Sequence, residues 1–108
     1  MDDTTQKGEA MKATPKISER DVTVGIRQLL RTLNIWHFKH WGGPMGEKGV
    51  ADILGCYHGR MLAIEIKKPG GKATAAQEAF LEAVRSAGGI GFVAWGVEDV
   101  VRELGLGD

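Results

Sequence analysis

Residues 50–67 read Val50-Ala51-Asp52-Ile53-Leu54-Gly55-Cys56-Tyr57-His58-Gly59-Arg60-Met61-Leu62-Ala63-Ile64-Glu65-Ile66-Lys67, and the fold follows from their punctuation. Two apolar runs, 50–57 and 60–67, flank a tight turn at His58-Gly59, which predicts an antiparallel hairpin. Glu65 and Lys67 lie two apart in the second run, so on a strand they project from one face. A carboxylate and an ammonium in apolar company are costly to desolvate unless they are paired or bound to something. Asp52 is a further carboxylate in the first run. Two acids that converge make a site for a hard divalent cation, and Mg²⁺ characteristically takes one or two carboxylates plus waters and phosphate oxygens. The alternative is a plain Glu65–Lys67 ion pair on a solvent-facing edge strand; Ile64, Ile66 and Asp52 argue for a shared pocket instead.

Working outward, residues 1–16 lack apolar periodicity and read as a disordered tail, leaving 17–108 as one folded domain. Ser18 offers a helix N-cap with Asp21 at the capping-box position. Val22, Ile26, Leu29, Leu30 and Leu33 then recur at helical spacing up to Asn34. Residues 35–41 are β-branched and aromatic enough for a strand, and 42–49 form a glycine-rich loop. Beyond the break at Pro69-Gly70-Gly71, Thr74 caps a second helix with Gln77 at its capping-box position, and Phe80, Val84 and Ala87 share one face. Gly88-Gly89 closes that helix. A strand over 90–95 and a short helix over 97–104 complete the order α-β-β-β-α-β-α. The second helix allows a crossover to a parallel neighbour, giving an α/β mixed sheet flanked by helices.

The chain of 108 residues is 43% hydrophobic, enough for one core. No apolar run approaches the roughly 20 residues of a membrane span, and no secretory signal pattern is visible, so no membrane association is expected. A lone cysteine, Cys56, excludes an intrachain disulfide and fits a reducing cytoplasmic compartment. The formal net charge is zero, yet residues 16–72 carry ten Lys/Arg against five Asp/Glu, while 73–108 carry two against six. A basic segment around the acidic pair suits an anionic polymer such as a nucleic-acid backbone. His37 and His40 lie three apart, on opposite faces of a strand, and no paired cysteines accompany them; zinc is not expected. Trp36, Phe38 and Trp41 read as core or interface residues.

Together, Gly49-Val50-Ala51-Asp52, the hairpin, Glu65-Ile66-Lys67, the exit Lys67-Lys68-Pro69-Gly70 and the helix start Thr74-x-x-Gln77 resemble the PD-(D/E)XK nuclease superfamily. Within it they resemble the VRR-NUC (virus-type replication-repair nuclease) domain, over roughly residues 18–100. One departure stands at Ala51, where that family usually has proline; no catalytic group is lost. The resemblance implies a restriction-endonuclease-like fold and a DNA endonuclease dependent on Mg²⁺ or Mn²⁺. Asp52, Glu65 and the Ile66 main-chain carbonyl would hold the metal, and Lys67 would hold the attacking water. The expected products are 5′-phosphate and 3′-hydroxyl ends. Stand-alone members of this size are typically phage-encoded homodimers like Holliday junction resolvases, which implies branched DNA as substrate and the cytosol of a bacterial host.

Glu19, three residues before Val22 on the apolar side of the first helix, is a further candidate metal ligand; a first-turn glutamate that merely favours the helix N-terminus is the alternative. Gln77 either completes its capping box or contacts phosphate or water at the site. Lys68, Lys72 and Lys48, with the helical stripe Arg20, Arg27 and Arg31, are candidate phosphate contacts. Rival expectations are a non-catalytic nucleic-acid-binding module and a subunit of a larger repair complex.

Overall fold

A computed structural model describes residues 16–43 and 45–107; the expected tail lies outside them apart from Lys16. Helix α1 (Glu19–Thr32) leads into β1 (His37–Lys39), β2 (Ile53–Tyr57) and β3 (Arg60–Ile66), followed by α2 (Ala75–Ser86), β4 (Ile90–Ala94) and α3 (Val97–Glu103). The strands form one sheet in the order β1-β2-β3-β4. The first two pairings are antiparallel and β3–β4 is parallel, so the chain has the expected mixed α/β architecture and element order. No helix among the described residues is long and apolar enough to cross a membrane.

The helices start and stop where local chemistry dictates. Ser18 Oγ accepts from the Asp21 amide at 3.1 Å, and Asp21 Oδ2 accepts from the Ser18 amide at 2.9 Å. Thr74 and Gln77 form the same reciprocal box on α2. Such a box is worth about 1 kcal/mol. Burial contributes more: Val22, Ile26 and Leu30 of α1 enter the core, at about 1.5–3 kcal/mol for each fully buried side chain. At its end, α1 closes in a Schellman motif, with Asn34 at φ 58° and the Ile35 amide donating to Leu30 at 2.8 Å.

The sheet is covered on both faces. Ile53, Leu62, Ile64, Ile66 and Phe92 pack with the buried residues of α1 and with Val100 and Leu104, while Ala51 and Ala63 pack with Leu81 and Val84 of α2. This alternation along β3 turns Glu65 and Lys67 to the Ala63 side. The hairpin turn has positive φ at both His58 (51°) and Gly59 (79°), which matches the twist of its strands.

Three expectations are corrected in detail. The strand expected over 35–41 contracts to β1, because Ile35 is consumed by the end of α1. The strand expected from residue 50 begins at Ile53. Gly49, at φ +79°, brings the chain against the first turn of α2, where a Cβ would lie 2.4 Å from the Ala76 carbonyl oxygen; residues 50–52 are thus docked on α2 before pairing starts. On α2 the buried positions are Leu81 and Val84, with Phe80 half-buried and Ala87 exposed.

Candidate functional site

β2 and β3 part company at Asp52. The Asp52 carbonyl accepts from the His40 amide at 2.7 Å, and its Oδ2 accepts from the Ile66 amide at 2.8 Å. A side chain thereby takes the place of a ladder carbonyl, and Asp52 is locked onto the end of β3. The N–H and C=O of one strand residue point to the same edge, so the Ile66 carbonyl faces Asp52 as well.

Glu65 is the one charged residue in the buried core among the described residues, at 2% exposure. Its Oε2 lies 3.7 Å from Lys67 Nζ, and its Oε1 is buried without a hydrogen-bond partner. Burial foremost, then the Asp52 carboxylate through its charge and through hydrogen bonding, pushes the Glu65 carboxyl up to about 8; Lys67 opposes this, and Glu19 adds the weakest push. A buried acid in this state needs either a proton or a cation.

A hard divalent cation fits that need. Two adjacent carboxylates and a main-chain carbonyl are oxygen ligands of the kind Mg²⁺ accepts alongside waters. No cluster of three His, Cys, Asp or Glu side chains suited to a metal occurs among the described residues, so water or substrate would supply the remaining oxygens.

Lys67 is largely covered, at 13% side-chain exposure. The turn after it closes with Gly71 N–H donating to the Lys68 carbonyl at 2.9 Å, and Gly71 packs against the Lys67 stem. Trp95 Nε1 donates to the Gly71 carbonyl at 2.7 Å, pinning this turn to the end of β4.

Two residues of β1 and the loop after it join the site unexpectedly. Lys39 Nζ lies 3.7 Å from Asp52 Oδ1 and 4.4 Å from the centroid of the Trp41 ring. The pairing of Lys39 with Ile53 brings it beside Asp52. A lone lysine in an aromatic strand was the available signal, the same one that marked Lys67.

The remaining candidates separate. Glu19 is exposed and lines one groove together with Arg20, Arg27, Arg31, Lys39, Trp41 and Asp52; it is not set apart from the arginine stripe as expected. Lys68 lines a neighbouring hollow with Glu19 and Ser18. Lys48 and Lys72 are exposed and make no ion pair among the described residues. Gln77 has its Oε1 committed to the Thr74 amide, leaving only its NH₂ group for other partners. His37 Nδ1 donates to the Ile35 carbonyl at 2.9 Å, so Nε2 is free to accept from Arg27 Nε at 3.3 Å. Trp36 and Trp41, read as core or interface residues, are 67% and 79% exposed.

No protein-family model matches the chain, and no curated protein or solved structure matches it either.

Proposed function

We propose that the chain is a metal-dependent DNA endonuclease that hydrolyses phosphodiesters to 5′-phosphate and 3′-hydroxyl ends, working as a homodimer on branched DNA. The observation that carries this reading is the buried Glu65, with Oε1 unpartnered, beside Asp52 and on the same strand face as Lys67. Asp52, Glu65 and the Ile66 carbonyl would hold Mg²⁺ or Mn²⁺, with Glu19 a further candidate ligand. The chemistry such a cation supplies when bound is polarisation of the phosphate and acidification of a water.

The chain's own groups do the rest. The Ile66 amide fixes Asp52 Oδ2, so the carboxylate keeps one orientation and directs Oδ1 elsewhere. Lys67 carries the positive charge nearest Glu65; its ammonium holds the attacking water and offsets negative charge as the phosphorus becomes five-coordinate. Lys39 neutralises part of the Asp52 charge and orients it from the opposite side. Lys68 and the arginines of α1 attract the backbone of the substrate. A homodimer follows from the arithmetic of cutting: one site per chain cuts one strand, and two related by a twofold axis cut both strands of a junction.

The test is incubation of the pure protein with a labelled four-way junction and a linear duplex of equal length, in Mg²⁺, Mn²⁺ and EDTA. Symmetric paired nicks in the junction, abolished by EDTA, support the proposal. Equal nicking of the duplex removes the branch preference, and binding without cleavage in either metal leaves a non-catalytic module.

A further inference from the structure

We propose that the groove leading away from the acidic pair binds an unpaired DNA strand, its phosphates on Arg20, Arg27 and Arg31 and its bases stacked on Trp41 and Trp36. The inference rests on the nuclease reading only for what happens to the strand at the groove's acidic end.

The groove, of about 520 Å³, is lined by Arg20, Arg27 and Arg31 of α1, by Lys39 and Trp41, and by Asp52 of the acidic pair. A second hollow, lined by Trp36, Asn34 and His37, continues past it, and Arg27 and Arg31 line both. Arg20, Arg27 and Arg31 span ~16 Å of helix axis at 1.5 Å per residue, a length that several nucleotides would cover. None of the three makes an ion pair among the described residues; the side-chain contact of Arg27 is to Nε2 of His37. Unpaired cations in a row are a track for phosphate.

The aromatic residues decide between paired and unpaired DNA. Trp36 and Trp41 are the most exposed of the Trp, Phe and Tyr side chains among the described residues, at 67% and 79%. Bases inside a duplex are already stacked on one another, so exposed indoles meet them only when the strand is single. Trp41 is joined to the acidic pair by one group, Lys39 Nζ, which touches both its ring and Asp52. A base stacked on Trp41 therefore sets its neighbouring phosphate at the mouth of the site. A second copy of the chain is the weaker occupant, because it would bury three arginines that make no ion pair among the described residues, and an unpaired buried charge is costly.

The test measures binding in EDTA, where cleavage plays no part, with fluorescein-labelled oligo(dT) and a duplex of equal length, and follows tryptophan fluorescence. The expected result is preference for the single strand with quenching of the indole emission, both reduced in Trp41→Ala with about tenfold weaker binding, and reduced in Trp36→Ala. Trp95→Phe keeps the preference and the quenching. Arg27→Ala flattens the salt dependence. Equal affinity for duplex, or unchanged affinity in Trp41→Ala, overturns the inference. So does a Trp36→Ala or Trp41→Ala variant that turns a dimer into a monomer on sizing, which would assign the surface to a second copy. Strand binding as expected from a protein that never cuts in Mg²⁺ defeats the nuclease reading and leaves this one standing.

Discussion

Asp52 Oδ2 accepts the Ile66 amide at 2.8 Å, so a carboxylate stands where a strand carbonyl would otherwise complete the ladder. That bond ties the structural end of the hairpin to its chemistry: the group that holds Ile66 is the group that faces Glu65. Sheet formation and site formation are one event here.

The two roles of Asp52 are separable by substitution. Asn presents an oxygen of the same reach, so Asp52→Asn keeps the Ile66 bond and unfolds in urea within about 1 kcal/mol of the parent, while losing cleavage. Asp52→Ala leaves the Ile66 amide unpaired and loses both cleavage and about 1–3 kcal/mol of stability. Equal urea midpoints for the two variants would refute the structural role.

Glu65 sets a pH dependence of definite sign. Its carboxyl lies at about 8 in the folded chain against an ordinary 4.5, so between those values the folded state holds a proton that the unfolded state has released. Stability of the metal-free protein is therefore fully present below about pH 4.5 and is lost as pH rises through about 8, by an amount on the order of a few kcal/mol. Thermal unfolding in EDTA at pH 5.5 and pH 8.5 reads this directly, and Glu65→Gln flattens the difference. Mg²⁺ or Mn²⁺ at pH 8.5 raises the Tm of the parent and not of Glu65→Gln, because the cation takes the place of the proton. Asp21 and Glu82, whose carboxyls are lowered by hydrogen bonds from Ser18 and Arg85 respectively, act in the opposite sense and only at acid pH.

Trp95 is a positioning residue. Its indole N–H holds the Gly71 carbonyl, and the turn it pins packs on the Lys67 stem. Trp95→Phe removes one hydrogen bond, a stability loss of about 1 kcal/mol, and loosens Lys67. The expected signature is a several-fold fall in the cleavage rate with unchanged affinity for DNA in EDTA. A fall in affinity with an unchanged rate would place Trp95 in the substrate surface instead.

Much of this was legible in the sequence because it is locally encoded. Ser18 with Asp21, and Thr74 with Gln77, cap helices by contacts across three residues, and His58-Gly59 dictates its turn alone. Glu65 and Lys67 declared themselves as charges in an apolar run. The parts that were not legible depend on tertiary pairing. Composition alone did not show that Ile35 would finish α1 and so shorten β1, or that Gly49 would dock the chain on Ala76 and delay β2 to Ile53. Lys39 and Trp41 reach Asp52 only through the register of β1 on β2. Ala87 lies beyond the last helical residue, Ser86, as the C-cap and is exposed, so Leu81 and Val84 are the residues of α2 that cover Ala51 and Ala63.

The most direct test of the central claim is cleavage of a labelled four-way junction in Mg²⁺ by the parent and by Lys67→Ala, with Tm in the same buffer as the check on folding. The expected result is nicks from the parent that EDTA abolishes, and a Lys67→Ala protein that is folded, still stabilised by Mg²⁺, and slower by at least about 100-fold. Cleavage by Lys67→Ala at the parent's rate, or no cleavage by the parent in either metal, would contradict it.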